Sequence, residues 1–148
     1  DDERKDWVLA LVDGLSKLLP VVVLESGLQT DEHVPFPMGS QVLSTAPYCT
    51  ARNNLAVQSA VLAKAEAFIG TYGGTMQLAV RLKKPALGFY DHFSGTAYTH
   101  KVLTDWLGVQ QSTPVMIGRP TDAKFVQEVM QVNYIPQASN HGSSAVKA

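Results

Sequence analysis

Apolar residues recur along the chain in two alternating patterns, one helical and one extended. Over residues 3–19, Trp7, Leu11, Leu15 and Leu18 share one side, with Val8, Val12 and Leu19 beside them. That spacing predicts a helix, and Pro20 ends it. Val21–Glu25 (VVVLE) is an unbroken β-branched run, read as a strand covered on both faces and so part of a parallel sheet. Residues 28–40 (LQTDEHVPFPMGS) carry two prolines and a glycine and read as a long loop, a kind of segment that is often functional.

From residue 41 the extended and helical patterns alternate. Gln41–Thr45 (QVLST) predicts a second strand, and Thr50 or Asn53 caps a helix over roughly Ala51–Lys64. Ala67–Thr71 (AFIGT) is a third strand, running into Tyr72-Gly73-Gly74 and a helix over Thr75–Lys83. Arg81, Lys83 and Lys84 give the end of that helix the sign its dipole favours. Pro85–Tyr90 is a fourth strand. A helix over about Thr96–Leu107 is expected to bury Tyr98, Val102, Leu103 and Trp106 and to stop at Gly108. Pro114–Gly118 is a fifth strand, and Thr121 caps a last helix bearing Phe125, Val129 and Met130.

Alternation at this period predicts an α/β, doubly wound, mostly parallel sheet with helices on both faces, a Rossmann-like domain. No internal repeat interrupts it. Such a domain normally opens on a strand, whereas this chain opens on a helix. A first strand upstream of Asp1 is therefore expected, and with it a longer parent protein. Residues 1–138 read as one domain and residues 139–148 (SNHGSSAVKA) as a flexible tail.

Composition narrows the class. A chain of 148 residues that is 45% apolar can build one real core and is not a disordered segment. Twelve Lys and Arg against 13 Asp and Glu leave a net charge of −1, with no basic signature for nucleic acid. No run approaches the ~20 apolar residues of a membrane helix. No basic-then-apolar leader is visible, and a cytoplasmic location is expected. Cys49 is the single cysteine, which excludes an intrachain disulfide and a CxxC pair.

The most specific local feature is the run Phe68-Ile69-Gly70-Thr71-Tyr72-Gly73-Gly74-Thr75-Met76-Gln77. A strand enters a glycine pair that opens a helix. Ligands of open α/β sheets bind beyond the carboxyl ends of strands, and free N–H groups at a helix start face an anion. A diphosphate suits that place, with Thr75 adding a hydroxyl and Gln77 reaching a ribose or sugar hydroxyl. A plain tight turn is the other reading. The spacing is neither GxGxxG nor a Walker loop, so dinucleotide oxidoreductases and P-loop NTPases lose support.

Other candidates surround this turn if the topology holds. Arg52 can neutralise a phosphate, and Asn53 and Asn54 can read a base; a helix cap beside a solvated Arg is the plainer reading. Ser44 and Thr45 end the second strand and can bond a base. Tyr72 and Tyr90 end neighbouring elements and can stack on a base or sugar, or simply pack. Glu25 ends the first strand and can hold a sugar hydroxyl. His92 is a candidate general acid or phosphate contact. His33, His92, His100 and His141 show no metal-ligand spacing, and no metal site is expected. Cys49 has no sequence-adjacent His to activate it.

The segment from about Gln41 to Leu107 resembles the C-terminal, donor-binding half of two-domain GT-B glycosyltransferases. The likeness runs through QVLST, the helix ARNNLAVQSAVLAKA, then AFIGTYGGTMQLAVRL, and then KKPALGFYDHF. The order of strand, glycine turn, small-residue helix, Lys-x-Pro and a strand ending in Phe or Tyr is similar to heptosyltransferase-like and fucosyltransferase-like members. The resemblance implies that Gly73, Gly74 and Thr75 meet the donor diphosphate and Gln77 a hydroxyl, where many relatives carry Glu, Asp or His. The chain is about half the length of a complete enzyme of this kind. An N-terminal acceptor domain, with the catalytic base, is then expected as a partner. The implied ligand is a nucleotide-sugar donor substrate, with no further cofactor. Two alternatives stay open: a non-catalytic nucleotide- or phosphate-binding interaction module, and a related α/β enzyme such as a sugar-nucleotide epimerase.

Overall fold

The computed structural model describes residues 2–26, 37–90, 94–119 and 128. Its elements are α1 (Asp2–Ser16), β1 (Val21–Val23), β2 (Val42–Ser44), a 3-10 turn (Ala46–Tyr48) and α2 (Asn54–Lys64). They continue with β3 (Phe68–Thr71), α3 (Gly74–Arg81), β4 (Ala86–Phe89), α4 (Gly95–Gln111) and β5 (Val115–Gly118). β1 pairs with β2, and β4 lies between β3 and β5; every one of these pairings is parallel. The architecture is α/β, with two parallel sheets and four helices among the described residues, compatible with a Rossmann-like doubly wound fold.

Strand alternation divides the larger sheet into two faces. Phe68, Ala86, Val115 and Ile117 point to one side, where Met76, Ala79 and Val80 of α3, Leu107 of α4 and Leu62 of α2 complete a core. Ile69, Leu87, Phe89 and Met116 point to the other, where α1 supplies Trp7, Leu11 and Leu15. The indole of Trp7 meets Phe89 edge-on at 4.8 Å. Val21 joins the α1 core and Leu24 the opposite one, so the β1 segment feeds both. The crossovers β3–α3–β4 and β4–α4–β5 step the same way with both helices on one face, as a uniform crossover hand requires.

The hydrophobic pattern locates the elements but misplaces two faces. The run at Val21–Glu25 is covered only in part: Val21 and Leu24 pack on opposite cores, but Val22 between them is exposed. The strand covered throughout is β4, all four residues of which are buried. In α4 the expected inner face is the outer one. Tyr98, Val102, Leu103 and Trp106 are exposed, while Ala97, Thr104, Leu107 and Gly108 are buried. Gly108 lies inside the helix, and the stop is Ser112 at φ 50°. Thr113 N–H reaches back to Gly108 O at 2.9 Å, the bond of a left-handed helix cap.

α3 ends in the same way. Lys83 stands at φ 59°, with Lys83 N–H on Val80 O and Lys84 N–H on Ala79 O, each at 2.9 Å. α2 begins after Asn53, whose side chain turns back instead of capping it: Oδ1 accepts from Thr50 N (2.6 Å) and Oγ1 (2.9 Å). No described helix is long and apolar enough to cross a membrane. Most of the loop at 28–40, the helix expected from Thr121 and the tail at 139–148 lie outside the described residues.

Candidate functional site

The parallel ladder of β3–β4–β5 continues one residue past its strands. Tyr72 N–H donates to Phe89 O and Tyr90 N–H to Gly118 O, each at 3.1 Å. Alternation then turns both tyrosines toward the face that carries α3 and α4. Their rings meet edge-on at 6.5 Å, and the Tyr72 ring meets His100 of α4 at 5.6 Å.

Immediately after Tyr72 the chain turns at Gly73, with φ 138° and ψ −155°. L side chains are strained in that region, so the residue type follows from the turn. α3 starts at Gly74, and its first amide with a partner in the helix is Gln77 N–H on Gly73 O, at 3.0 Å. The preceding amides have no intrahelical acceptor by geometry. No side chain caps them and the first turn holds no acidic residue. In α4, by contrast, Ser94 Oγ accepts from Ala97 N–H at 3.2 Å. A Cβ built on Gly73 or Gly74 meets nothing within 4 Å, so open space borders the turn on that side.

Thr75 stands exposed in that first turn. Gln77 Nε2 lies 3.0 Å from His100 Nδ1. An amide nitrogen only donates, so in this arrangement Nδ1 is the acceptor. Gln77 thus uses its amide nitrogen to hold the imidazole. The result is one cluster of Tyr72, Gly73, Gly74, Thr75, Gln77, Tyr90 and His100 at the ends of β3 and β4 and the first turns of α3 and α4. Chemically it offers backbone amides, a hydroxyl, an imidazole and two phenol rings beside a positive helix end, a set suited to an anion attached to a flat or hydroxylated group.

The remaining candidates form a separate group or stand alone. At the carboxyl ends of β1 and β2, Thr45 is buried, and its Oγ1 accepts from Glu25 N–H and donates to Glu25 O, each at 2.8 Å. Ser44 Oγ donates to the Glu25 carboxylate and accepts from Ala46 N–H at 3.0 Å. These hydroxyls pin the two strand ends together. Arg52 is exposed in the turn before α2. The Asn53 side chain is engaged with Thr50 and Tyr48, which leaves it little to read a base with. Cys49 is a free, half-buried thiol. Among the described residues no group of three His, Cys, Asp or Glu converges as metal ligands. His33, His92 and His141 lie outside the described residues.

His100 is the residue the sequence pattern passes over, because it draws notice only as one of four histidines without metal-ligand spacing. Its partner Gln77 lies 23 residues away, beyond any helical or strand period. One signal does point to it: in consecutive parallel crossovers, the first turns of successive helices stand side by side at the same sheet edge. Comparison with protein-family models, curated proteins and solved structures finds no match for the chain.

Proposed function

We propose that this chain is the donor-binding half of a GT-B-type glycosyltransferase and takes the diphosphate of a nucleotide-activated sugar at the opening turn of α3. The observation that supports the reading is that turn itself: a positive-φ Gly73, open space at Gly73 and Gly74, and helix amides that no side chain caps. Such amides bind phosphate oxygens, and the positive end of the helix dipole favours their charge. Tyr72 and Tyr90 supply ring surface for a base or sugar, and Thr75 and His100 supply polar groups.

In the transfer, the bond from the anomeric carbon to the phosphate oxygen breaks as the acceptor oxygen bonds to that carbon. Negative charge develops on the departing nucleoside diphosphate, and the α3 amides stabilise it there, the role a divalent cation takes in other transferases. The acceptor and the base that takes its proton belong, in this reading, to a separate domain.

Ligand-observed NMR of the chain with UDP, GDP, ADP and CMP tests the proposal. One nucleoside diphosphate is expected to bind. Gly74→Val is expected to fold, since its Cβ meets nothing within 4 Å, while blocking close approach to the amides. Binding should weaken at least about tenfold, or ~1.4 kcal/mol. Silence from the whole panel with a folded chain removes the reading, and binding unchanged in Gly74→Val places the ligand elsewhere.

A further inference from the structure

The outer face of α4 carries an apolar stripe that the fold does not use. Val102, Trp106 and Val109 are spaced i, i+4 and i+7 and are 50%, 56% and 77% exposed, with Leu103 at their edge. They point away from Ala97, Thr104, Leu107 and Gly108, which face the sheet and α3. With the Trp106 side chain worth up to about 250 Å² and the three aliphatic side chains less, the four exposed fractions leave on the order of 300–400 Å² of surface in water. A patch of that size is comparable to the largest on an ordinary monomer, and such patches are often functional.

The charged rim of the stripe matches a second copy of itself. Lys101 and Asp105 lie along one side of it and pair with each other one turn apart. We propose that the stripe is a self-association surface on which a second copy of this chain docks, α4 against α4 and antiparallel. In a two-fold antiparallel pair the same rim of each helix faces its counterpart, and residues equally distant from the axis meet. With the axis beside Leu103, Lys101 of each copy faces Asp105 of the other, so the charged rim is complementary to itself. Trp106 of each copy then covers the apolar surface around Val102 of the other. The apolar area is about half of the ~800 Å² that each partner buries in a standard interface, and the charged rim and helix ends add to it. The complex is accordingly weak, with a dissociation constant on the order of micromolar.

Sedimentation velocity of the full chain, from about 1 to 500 μM, spans that affinity. The weight-average mass is expected to rise with concentration to twice the monomer mass. Trp106→Lys should leave a monomer across the range. Lys101→Glu, which sets acid against acid across the axis, should weaken association about tenfold, and Lys101→Glu combined with Asp105→Lys should restore it. All three positions face solvent or the rim, so unchanged circular dichroism is expected and separates lost association from lost fold. A monomer at every concentration overturns the proposal. If hydrogen exchange then shows the α4 stripe protected in the monomer, another segment of the same chain covers it. A dimer indifferent to Trp106→Lys and Lys101→Glu also overturns it, because its interface lies elsewhere. None of these readouts depends on nucleotide binding.

Discussion

At Gly88, in the middle of the buried strand β4, the backbone comes so close to α3 that a Cβ would overlap Met76 Sδ and stand 3.1 Å from Met76 Cε. Met76 is fully buried and has little room to withdraw. Gly88→Ala should therefore destabilise the fold by about 1–3 kcal/mol, the usual cost of overpacking, measured by urea unfolding. In a Met76→Ala background the same substitution should cost less, because the overlapping atoms are gone; equal costs in both backgrounds would show that the contact does not govern the position. Gly73 is the contrasting case. Its residue type follows from a backbone angle, and the surrounding space is empty. The two glycines look alike in the sequence, yet one admits a helix to the sheet and the other turns the chain into a helix.

Element by element, much of the architecture was legible, because alternation of periods is a property of the chain alone. All five strands and all four described helices fall where the apolar pattern puts them, within a few residues at each end. The orientation of α4 was not legible. A crossover helix lies close to its sheet, and close approach selects small residues such as Ala97, Thr104 and Gly108 for the inner face. The large apolar residues Val102 and Trp106 remain outside, so ranking faces by hydrophobicity picks the wrong one. Likewise the glycine turn was legible as a strand-to-helix junction, whereas the Gln77–His100 bond depends on two crossovers lying side by side. The end of α3 was read from its charge, but the structure closes it with a left-handed residue, Lys83 at φ 59°. An L residue there costs about 1–2 kcal/mol, part of which a glycine returns to unfolded-chain entropy. Lys83→Gly should accordingly raise stability by about 0.5 kcal/mol, seen as a small increase in the urea midpoint at constant m-value. A fall in the midpoint would mean that the lysine side chain contributes more than its backbone costs.

Across the whole molecule, one three-stranded sheet separates two cores with different duties. The α1 side holds Leu11, Leu15, Leu87 and Phe89 and carries none of the candidate cluster at the glycine turn. The α3–α4 side holds Met76, Val80 and Leu107, and its edge carries Tyr72, Gln77, Tyr90 and His100. Stability and the proposed donor site should therefore respond to different substitutions. Leu11→Ala empties a buried position that is 4% exposed, and should cost about 2–5 kcal/mol. That is a large share of the roughly 5–15 kcal/mol by which domains are stable, so the unfolded fraction rises measurably. Nucleotide affinity, referred to the folded fraction, should stay at the wild-type value, because the cavity opens on the far side of the sheet. Gly74→Val should do the reverse: a urea midpoint close to wild type, and nucleotide binding lost. Titrating both variants with the same nucleoside diphosphate, beside their unfolding curves, reads the two effects together. If Leu11→Ala weakens the folded protein's affinity as much as Gly74→Val does, the sheet transmits strain from one core to the other, and the turn at Gly73 depends on α1 packing as well as on its own glycines.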